Sequence, residues 1–285
     1  MKLSIVIVTH NEEANIGRTL QSVQPLVKDG QGEIIVVDSA STDHTVGIAE
    51  SYGAKVFIEE WKGYAAQKNS AIDKATGDWI LSLDADESLE PDLAKLIAND
   101  SSPPKIGSAD WCLTMVLAGK GSANLQSMKG EPAGFWFPRK NFFLGRWIKH
   151  GGFWPDRKLR MFRRGKGRVK AALVHETVEV EGDTLTLEHA LLHHSYPALA
   201  DYIDHMNRYS SLGAEMAVAR GQRGNLINIV LRPFFTFIYN YFFRLGFLDG
   251  REGLLLHLYH AAYVSWKYAK VWELSKSRRP QKEPT

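Results

Sequence analysis

Apolar positions in the first hundred residues fall into strand-length runs separated by segments with helical periodicity. The strand-length runs are Leu3–Thr9, Glu33–Asp38, Lys55–Ile58 and Trp79–Leu83. Helix-like segments lie between them, at Ala14–Val23, Thr42–Tyr52 and Tyr64–Lys74. Near-continuous apolar strands that alternate with helices are typical of a parallel sheet covered on both faces. The pattern therefore predicts an α/β fold with a mostly parallel sheet.

The pattern changes twice further along the chain. Residues 101–195 are rich in glycine and aromatic residues and contain short strand candidates at Trp111–Leu117, Lys158–Arg163, Val169–Leu173 and Leu185–Leu192. Long aromatic loops beside an α/β sheet are typical of a second-substrate platform or a lid. Residues 196–275 carry apolar positions at three- and four-residue spacing, which predicts helices. Residues 276–285 form a basic tail that we expect to be disordered.

Composition narrows the class of protein only moderately. The net charge of +3 and the pI near 8.8 suit an anionic ligand or a membrane surface. Dense basic runs interleaved with aromatic residues are missing from the sequence, so a nucleic-acid partner is not expected. The single cysteine, Cys112, excludes an internal disulfide and favours a reducing compartment. The apolar runs Leu3–Val8, Pro233–Phe243 and Gly253–Trp266 are too short for a signal peptide or a membrane-spanning helix.

Polar side chains follow three of the predicted strands at the point where each strand ends. They are Thr9, Asp38 and the pair Asp84 and Asp86. In an extended segment, residues two positions apart point the same way, so the two aspartates present hard oxygen ligands side by side. Mg²⁺ and Mn²⁺ prefer a few carboxylates together with phosphate oxygens and water. Because ligands of such sheets bind at the carboxyl ends of the strands, a metal–phosphate site is predicted there.

Four segments resemble, in their order and spacing, the signature of glycosyltransferase family 2. They are Val8–Glu12, Val36–Asp43, Gly63–Asn69 and Leu83–Glu87. Later segments are similar to a bacterial subgroup containing the lipopolysaccharide core glucosyltransferases that modify inner-core heptose. These segments are Gly145–Trp147, His150–Gly152, Pro155–Asp156, Arg160–Arg164, Val174–Glu176 and Gly246–Gly250. A G-x-G-x-x-G motif does not follow the first strand, which argues against a dinucleotide site.

The family resemblance implies a GT-A fold, a nucleotide-sugar donor, a divalent cation (Mg²⁺ or Mn²⁺) and inversion at the anomeric carbon. Residues 1–100 would form the nucleotide-sugar-binding half of the GT-A domain, and residues 101–195 its acceptor-binding half. Thr9 and Asp38 would hold the nucleoside, and Asn11 and Glu12 would line that pocket.

The resemblance also implies which residues face the diphosphate and the metal. Lys68 would lie near the base or the diphosphate, and Asp84 would contact the ribose or the sugar. Asp86 would ligate the metal, and Asp84 is the second candidate ligand because of its position beside Asp86. Arg160 suits a clamp on the diphosphate or on an anionic acceptor, although its alternating neighbours equally suit a half-exposed strand.

An inverting single displacement needs a base that takes the proton of the acceptor hydroxyl. We expect Asp156, in the glycine-rich loop that begins at His150, to be that base. Glu176, which follows His175, is the second candidate. The plain alternative for Asp156 is a turn residue after Pro155, which is the common position of aspartate in Pro-Asp.

The expected reaction moves a hexose, glucose from UDP-glucose, onto an inner-core sugar of bacterial lipopolysaccharide. Another envelope polysaccharide or lipid-linked acceptor, a mannosyl donor, and a non-catalytic nucleotide-sugar-binding or assembly protein are the alternatives. The bacterial cytoplasm is the expected location. The aromatic stretch Pro233–Phe243 is open to three interpretations: core, homo-oligomer interface, or peripheral contact with the cytoplasmic face of the inner membrane.

Overall fold

The computed structural model describes residues 2–30, 32–98, 131–170 and 177–277. Several predicted features lie outside these residues. They are the strand Trp111–Leu117, the end of the strand Val169–Leu173, the candidate base Glu176 with its neighbour His175, and residues 278–285 of the basic tail.

Twelve strands and seven α-helices are formed by the described residues. The strands are β1 (Leu3–Thr9), β2 (Gly32–Asp38), β3 (Lys55–Ile58), β4 (Trp79–Asp84), β5 (Glu87–Leu89), β6 (Gly134–Phe143), β7 (Arg146–Trp147), β8 (Asp156–Arg163), β9 (Gly167–Lys170), β10 (Thr177–Val180), β11 (Thr184–Thr186) and β12 (Leu191–Tyr196). The helices are α1 (Ile16–Val23), α2 (Thr45–Ser51), α3 (Tyr64–Asp73), α4 (Pro91–Ala98), α5 (Leu199–Ala219), α6 (Arg232–Ile238) and α7 (Gly250–Ser277). Two π-helical segments, Ile227–Leu231 and Tyr239–Phe243, flank α6.

Ten of the strands form one mixed sheet, with the order β3-β2-β1-β4-β8-β6-β12-β5 and with β7 and β11 beside β6. The first four strands in this order pair in parallel, as the alternation of strands and helices predicted. From β8 onward the sheet continues mainly with antiparallel pairs, including β4 with β8 and β6 with β8. The predicted strand Leu185–Leu192 is two strands, because β11 pairs with β6 in parallel whereas β12 pairs with β5 antiparallel.

The register of the parallel strands brings the predicted polar side chains to one edge of the sheet. Thr9 is the partner of Asp38 between β1 and β2, and Val8 is the partner of Asp84 between β1 and β4. β1, β2 and β4 are buried along almost their whole length, and residues such as Ile5, Ile35 and Leu81 lie in the apolar layers on the two faces of the sheet. The edge strand β3 is largely exposed. A rigid apolar frame thus fixes where the polar strand ends lie.

The described residues divide into two compact units. The first contains the described parts of residues 1–140, together with 156–170 and 177–194, and the second contains 141–155 and 195–277. The predicted helical region therefore shares its unit with residues 141–155. In the predicted tail, residues 276 and 277 are the last of α7. No described helix combines the length and the apolar character that crossing a membrane requires.

Candidate active site

Asp38, at the end of β2, is the centre of the first polar cluster. Its carboxylate is fully buried and accepts hydrogen bonds from the Thr9 hydroxyl (2.7 Å), the Ser41 backbone N–H (2.7 Å) and the Ser41 hydroxyl (2.6 Å). A carboxylate has about four acceptor positions, so one position remains for a ligand donor. These three bonds hold the Asp38 carboxylate in place, which suits recognition of a base or ribose.

Asn11 and Glu12, in the loop after β1, extend this cluster. Asn11 has a left-handed backbone (φ 54°), and its side-chain oxygen accepts the Thr42 N–H at 2.8 Å. The Glu12 backbone N–H donates to the Thr45 hydroxyl at 2.8 Å. Burial raises the pKa of Glu12, the bond from Asn15 opposes this shift, and the charges of Asp86 and Asp84 add to it. Glu12 is therefore close enough to Asp84 and Asp86, at the end of β4, for their charges to affect its pKa.

Asp84, the last residue of β4, is held between two cations. Lys68 Nζ from α3 lies 2.7 Å from its Oδ1, and Arg160 from β8 bonds its Oδ2. Burial by itself raises the pKa of Asp84, but the charges of Arg160 and Lys68 outweigh it and hold that pKa well below its usual range. In the described part of the chain, the buried Arg160 Nε has no hydrogen-bond partner. Asp84 is thus a carboxylate whose two oxygens are already engaged by cations.

Glu87 and Arg139 connect Asp84 to the candidate base Asp156. The fully buried Glu87 Oε1 lies 2.6 Å from Arg160 Nη2 and 2.9 Å from Arg139 Nη1. Arg139 also donates to Asp156 Oδ2 from Nη2 (2.6 Å) and Nε (2.9 Å). Burial opposes ionisation of Asp156, but the charges of Arg139 and Lys158 lower its pKa below the usual range. Asp156 is therefore ionised at neutral pH and able to accept a proton.

Asp86, two residues after Asp84, has a different partner. His193 from β12 places its Nε2 3.1 Å from Asp86 Oδ2. Burial by itself raises the pKa of Asp86. The charge of His193 and the hydrogen bond from it outweigh burial, so the pKa of Asp86 lies below its usual value. Among the residues that the structure describes, no group of three or more His, Cys, Asp or Glu side chains could hold a metal. A pair of ligands such as Asp86 and His193 nevertheless fits Mg²⁺ or Mn²⁺, because these ions usually complete their coordination with phosphate oxygens and water.

The structure brings most of the sequence-predicted residues into two clusters. Asp38, Thr9 and Asn11 share the first, and Lys68, Asp84, Arg160 and Asp156 share the second. Sequence reasoning missed Glu87, Arg139 and His193 as site residues. Glu87 had a signal in the sequence, since it directly follows Asp86, whereas nothing local marks Arg139 or His193.

Comparison with known proteins gives one family match and relatives that are similar over nearly the whole chain. Residues 4–166 match the profile of Glycosyl transferase family 2. The lipopolysaccharide core biosynthesis glycosyltransferase LpsC of Rhizobium meliloti (strain 1021) is 28% identical over 280 residues, which cover 96% of this chain and 93% of the relative. An uncharacterized glycosyltransferase of Rickettsia typhi is 27% identical over 284 residues, which cover 98% of this chain and 89% of the relative.

A solved structure supports the fold over nearly the whole chain. The mannosyltransferase PcManGT from Pyrobaculum calidifontis, in complex with GDP-Man and Mn²⁺, has a TM-score of 0.51 at 13% identity. The likeness covers 95% of this chain and 87% of that chain. It confirms the expected GT-A architecture, a mixed sheet with helices and a C-terminal helical region.

Proposed function

The chain belongs to glycosyl transferase family 2, and we propose that it transfers a hexose from a nucleoside-diphosphate donor to an inner-core sugar of bacterial lipopolysaccharide. One observation carries this proposal: the register of β1, β2 and β4 lines up Thr9, Asp38 and Asp84 at one edge of the sheet. Ligands of parallel sheets bind at that edge, where a nucleoside and a diphosphate would each meet polar side chains.

The donor that we propose is UDP-glucose. Asp38, with its remaining acceptor position, would receive a donor group of the base or ribose, and Asn11 and Glu12 would line the same pocket. Lys68 and Arg160 would lie beside the diphosphate, because both place cationic nitrogens at Asp84. The buried Arg160 Nε suits a phosphate oxygen, since charge-assisted bonds from guanidinium to phosphate are among the stronger ones. GDP-mannose is the alternative donor.

Asp86 and His193 are the residues that we propose as ligands of a divalent cation. Their Oδ2 and Nε2 atoms lie 3.1 Å apart, so one ion could bind both after the direct bond between them opens. Because imidazole favours transition metals over Mg²⁺, the pair favours Mn²⁺. When bound, such a cation stabilises the negative charge that develops on the departing diphosphate. Asp84 remains the second candidate ligand.

Asp156 is the residue that we propose as the base. Arg139 and Lys158 hold its carboxylate in place and keep it ionised, so it can take the proton of the acceptor hydroxyl as the new glycosidic bond forms. A single displacement of this kind inverts the anomeric carbon. Glu176 remains the second candidate for this role.

The acceptor proposal rests on the likeness to LpsC over nearly the full length of both chains. A lipid-borne acceptor would place the reaction at the cytoplasmic face of the inner membrane, and the proposal therefore includes peripheral contact with that membrane. Another lipid-linked glycan of the envelope is the alternative acceptor.

The donor proposal is tested by thermal unfolding with a panel of nucleotides: UDP, UDP-glucose, GDP, GDP-mannose and CMP, each with and without Mn²⁺. We expect UDP and UDP-glucose to raise the melting temperature in Mn²⁺, since a ligand at 100 times its Kd stabilises the native state by about 2.7 kcal/mol. Stabilisation by GDP and GDP-mannose alone would replace the uridine donor with the alternative. If no nucleotide shifts the transition, the donor proposal is wrong.

A further inference from the structure

The second unit presents a row of exposed apolar side chains along one helical segment. They recur at spacings of three and four residues through the first π-helical segment, α6 and the second π-helical segment. We call this row the aromatic face, and it consists of Leu226, Ile227, Val230, Leu231, Phe234, Phe235, Tyr239, Phe242 and Phe243. Phe235 is 62% exposed and Phe243 is 75% exposed, whereas Pro233 on the opposite side is buried.

The opposite side of this segment is packed within the same unit. The Ser265 hydroxyl of α7 donates to the Ile229 carbonyl at 2.9 Å, and the Arg232 guanidinium lies 5.0 Å from the centre of the Tyr268 ring. The inner side of the segment therefore packs against α7, whereas its outer side is apolar and exposed to solvent. Contiguous exposed apolar surface of this extent marks a binding surface rather than ordinary exposure.

The charged residues of the segment that carries the aromatic face have one sign. Residues 216–248 contain four arginines (Arg220, Arg223, Arg232 and Arg244) and no aspartate or glutamate. Arg220, Arg223 and Arg244 are exposed, and the Arg244 guanidinium lies 5.5 Å from the centre of the Tyr239 ring. An apolar row flanked by arginines complements a surface that is apolar beneath and anionic above.

We propose that the aromatic face binds in the plane of an anionic lipid bilayer, with its rings at the boundary between headgroups and acyl chains. The arginines contact lipid phosphates at that depth, and Tyr239 has the amphipathic ring that membrane interfaces favour. A second copy of the chain is a poorer occupant, because its own aromatic face brings further arginines and no aspartate or glutamate of residues 216–248 to compensate for them. The inference rests on the proposed function for the lipid-borne acceptor, and on the exposed side chains of the aromatic face for the surface that binds the bilayer.

Flotation of the full chain with lipid vesicles tests the inference, with neither metal nor donor present. We expect binding to vesicles of phosphatidylglycerol and phosphatidylcholine at low salt, and weaker binding to phosphatidylcholine alone or at high salt. The double variant Phe234→Ser/Phe235→Ser should lower the vesicle partition coefficient at least about tenfold, because two exposed rings no longer enter the bilayer. Trp61→Ser is the matched control, since Trp61 is 50% exposed in the first unit, and it should bind as the wild type does.

Two outcomes overturn the inference. One is a wild-type chain that does not float with anionic vesicles at low salt, and the other is a double variant that binds them as well as the wild type. Light scattering after gel filtration tests whether a second copy of the chain binds the aromatic face instead. If the wild type is a dimer that does not bind vesicles, and the double substitution dissociates this dimer, the face belongs to a second copy. Nucleotide-induced thermal shifts, measured in the same variants, separate this result from the proposed function, because they report on the donor site alone.

Discussion

At the scale of single residues, the candidate active site is a chain of buried and partly buried charges that alternate in sign. Burying a charge is costly unless an opposite charge and hydrogen bonds compensate for it. Each anion of this chain contacts at least one cation, and each arginine contacts two carboxylates. Removing one member therefore takes one opposite charge from each of its neighbours. The order is Lys68, Asp84, Arg160, Glu87, Arg139, Asp156.

Glu87→Gln should destabilise the protein strongly, because Arg139 and Arg160 lose the carboxylate that they share. Breaking a buried pair costs about 3–5 kcal/mol, and denaturant unfolding would measure the loss. Glu181→Gln is the matched control, since Glu181 pairs with Lys166 at the exposed surface. That change should cost less than about 1 kcal/mol. Equal losses in the two variants would mean that Glu87 does not connect the two arginines.

Arg139→Gln should raise the pKa of Asp156, because after burial the charge of Arg139 is the largest influence on that carboxyl. An ionised Asp156 is the active form of the proposed base. The acid limb of the pH profile of kcat/KM should therefore move to higher pH in the variant. Lys158→Gln removes the more exposed partner of the same carboxylate and should move the limb less. An acid limb that stays in place in Arg139→Gln would argue against Asp156 as the base.

At the scale of elements, sequence patterns predicted the parallel strands and the antiparallel strand β8 well, but missed β6 and merged β11 with β12. β1, β2 and β4 are buried on both faces, so their sequences are nearly continuous apolar runs that end at a polar residue. β6 and β12 carry Arg139 and His193, and their register depends on partners about 20 to 110 residues away. Local periodicity carries no information on such pairing, which is why these two residues were not predicted as site residues.

Gly151 occupies a turn in the second unit that requires glycine for two reasons. Its φ is 68°, and a Cβ there would overlap the buried ring of His257. Gly145 has a similar φ of 79° with open space around it. Gly145→Ala should cost about 1 kcal/mol from the backbone conformation alone, whereas Gly151→Ala should cost roughly 3 kcal/mol or more because of the overlap. Thermal unfolding of both variants measures the difference, and equal losses would contradict the packing described.

Glu33 ties the start of β2 to its surroundings through a buried carboxylate. Its pKa is about 2, because bonds from Lys55, Thr76 and Ser4 outweigh the opposing effect of burial. The folded pKa is thus below the unfolded value of about 4.3, so the stabilisation is present above that value and is lost as the pH falls toward 2.

Glu33→Gln should therefore be less stable than the wild type at pH 7, by about 2 kcal/mol. The difference between the two proteins should shrink between about pH 4.5 and pH 2, because only the wild type loses the charge at this position. Urea unfolding of both proteins across that pH range measures this difference. A difference that stays constant over the range would show that the Glu33 charge does not contribute.

At the scale of the whole molecule, the chain forms two units, and each unit combines separate stretches of the sequence. The predicted boundaries at 100, 195 and 275 stay predictions, and the second unit also contains residues 141–155. Within that unit, the buried Asp249 accepts the His150 backbone N–H at 2.8 Å and contacts His150 Nδ1 at 3.0 Å. These residues lie 99 positions apart, and no local sequence pattern in either segment predicts that the two are in contact. The composition of 141–155 predicted a loop region, but its place beside the C-terminal helices needed the structure.

A divalent cation that is held at Asp86 and binds the donor diphosphate is central to the proposed function. Calorimetric titration of UDP into the wild type, with Mn²⁺ and with a chelator, tests it most directly. We expect Asp86→Asn to weaken Mn²⁺-dependent binding at least about tenfold, because a metal ligand is lost. Asp92→Asn, an exposed aspartate of α4, is the control and should bind as the wild type does. Binding of UDP that a chelator leaves unchanged, or that Asp86→Asn retains in full, would contradict the account.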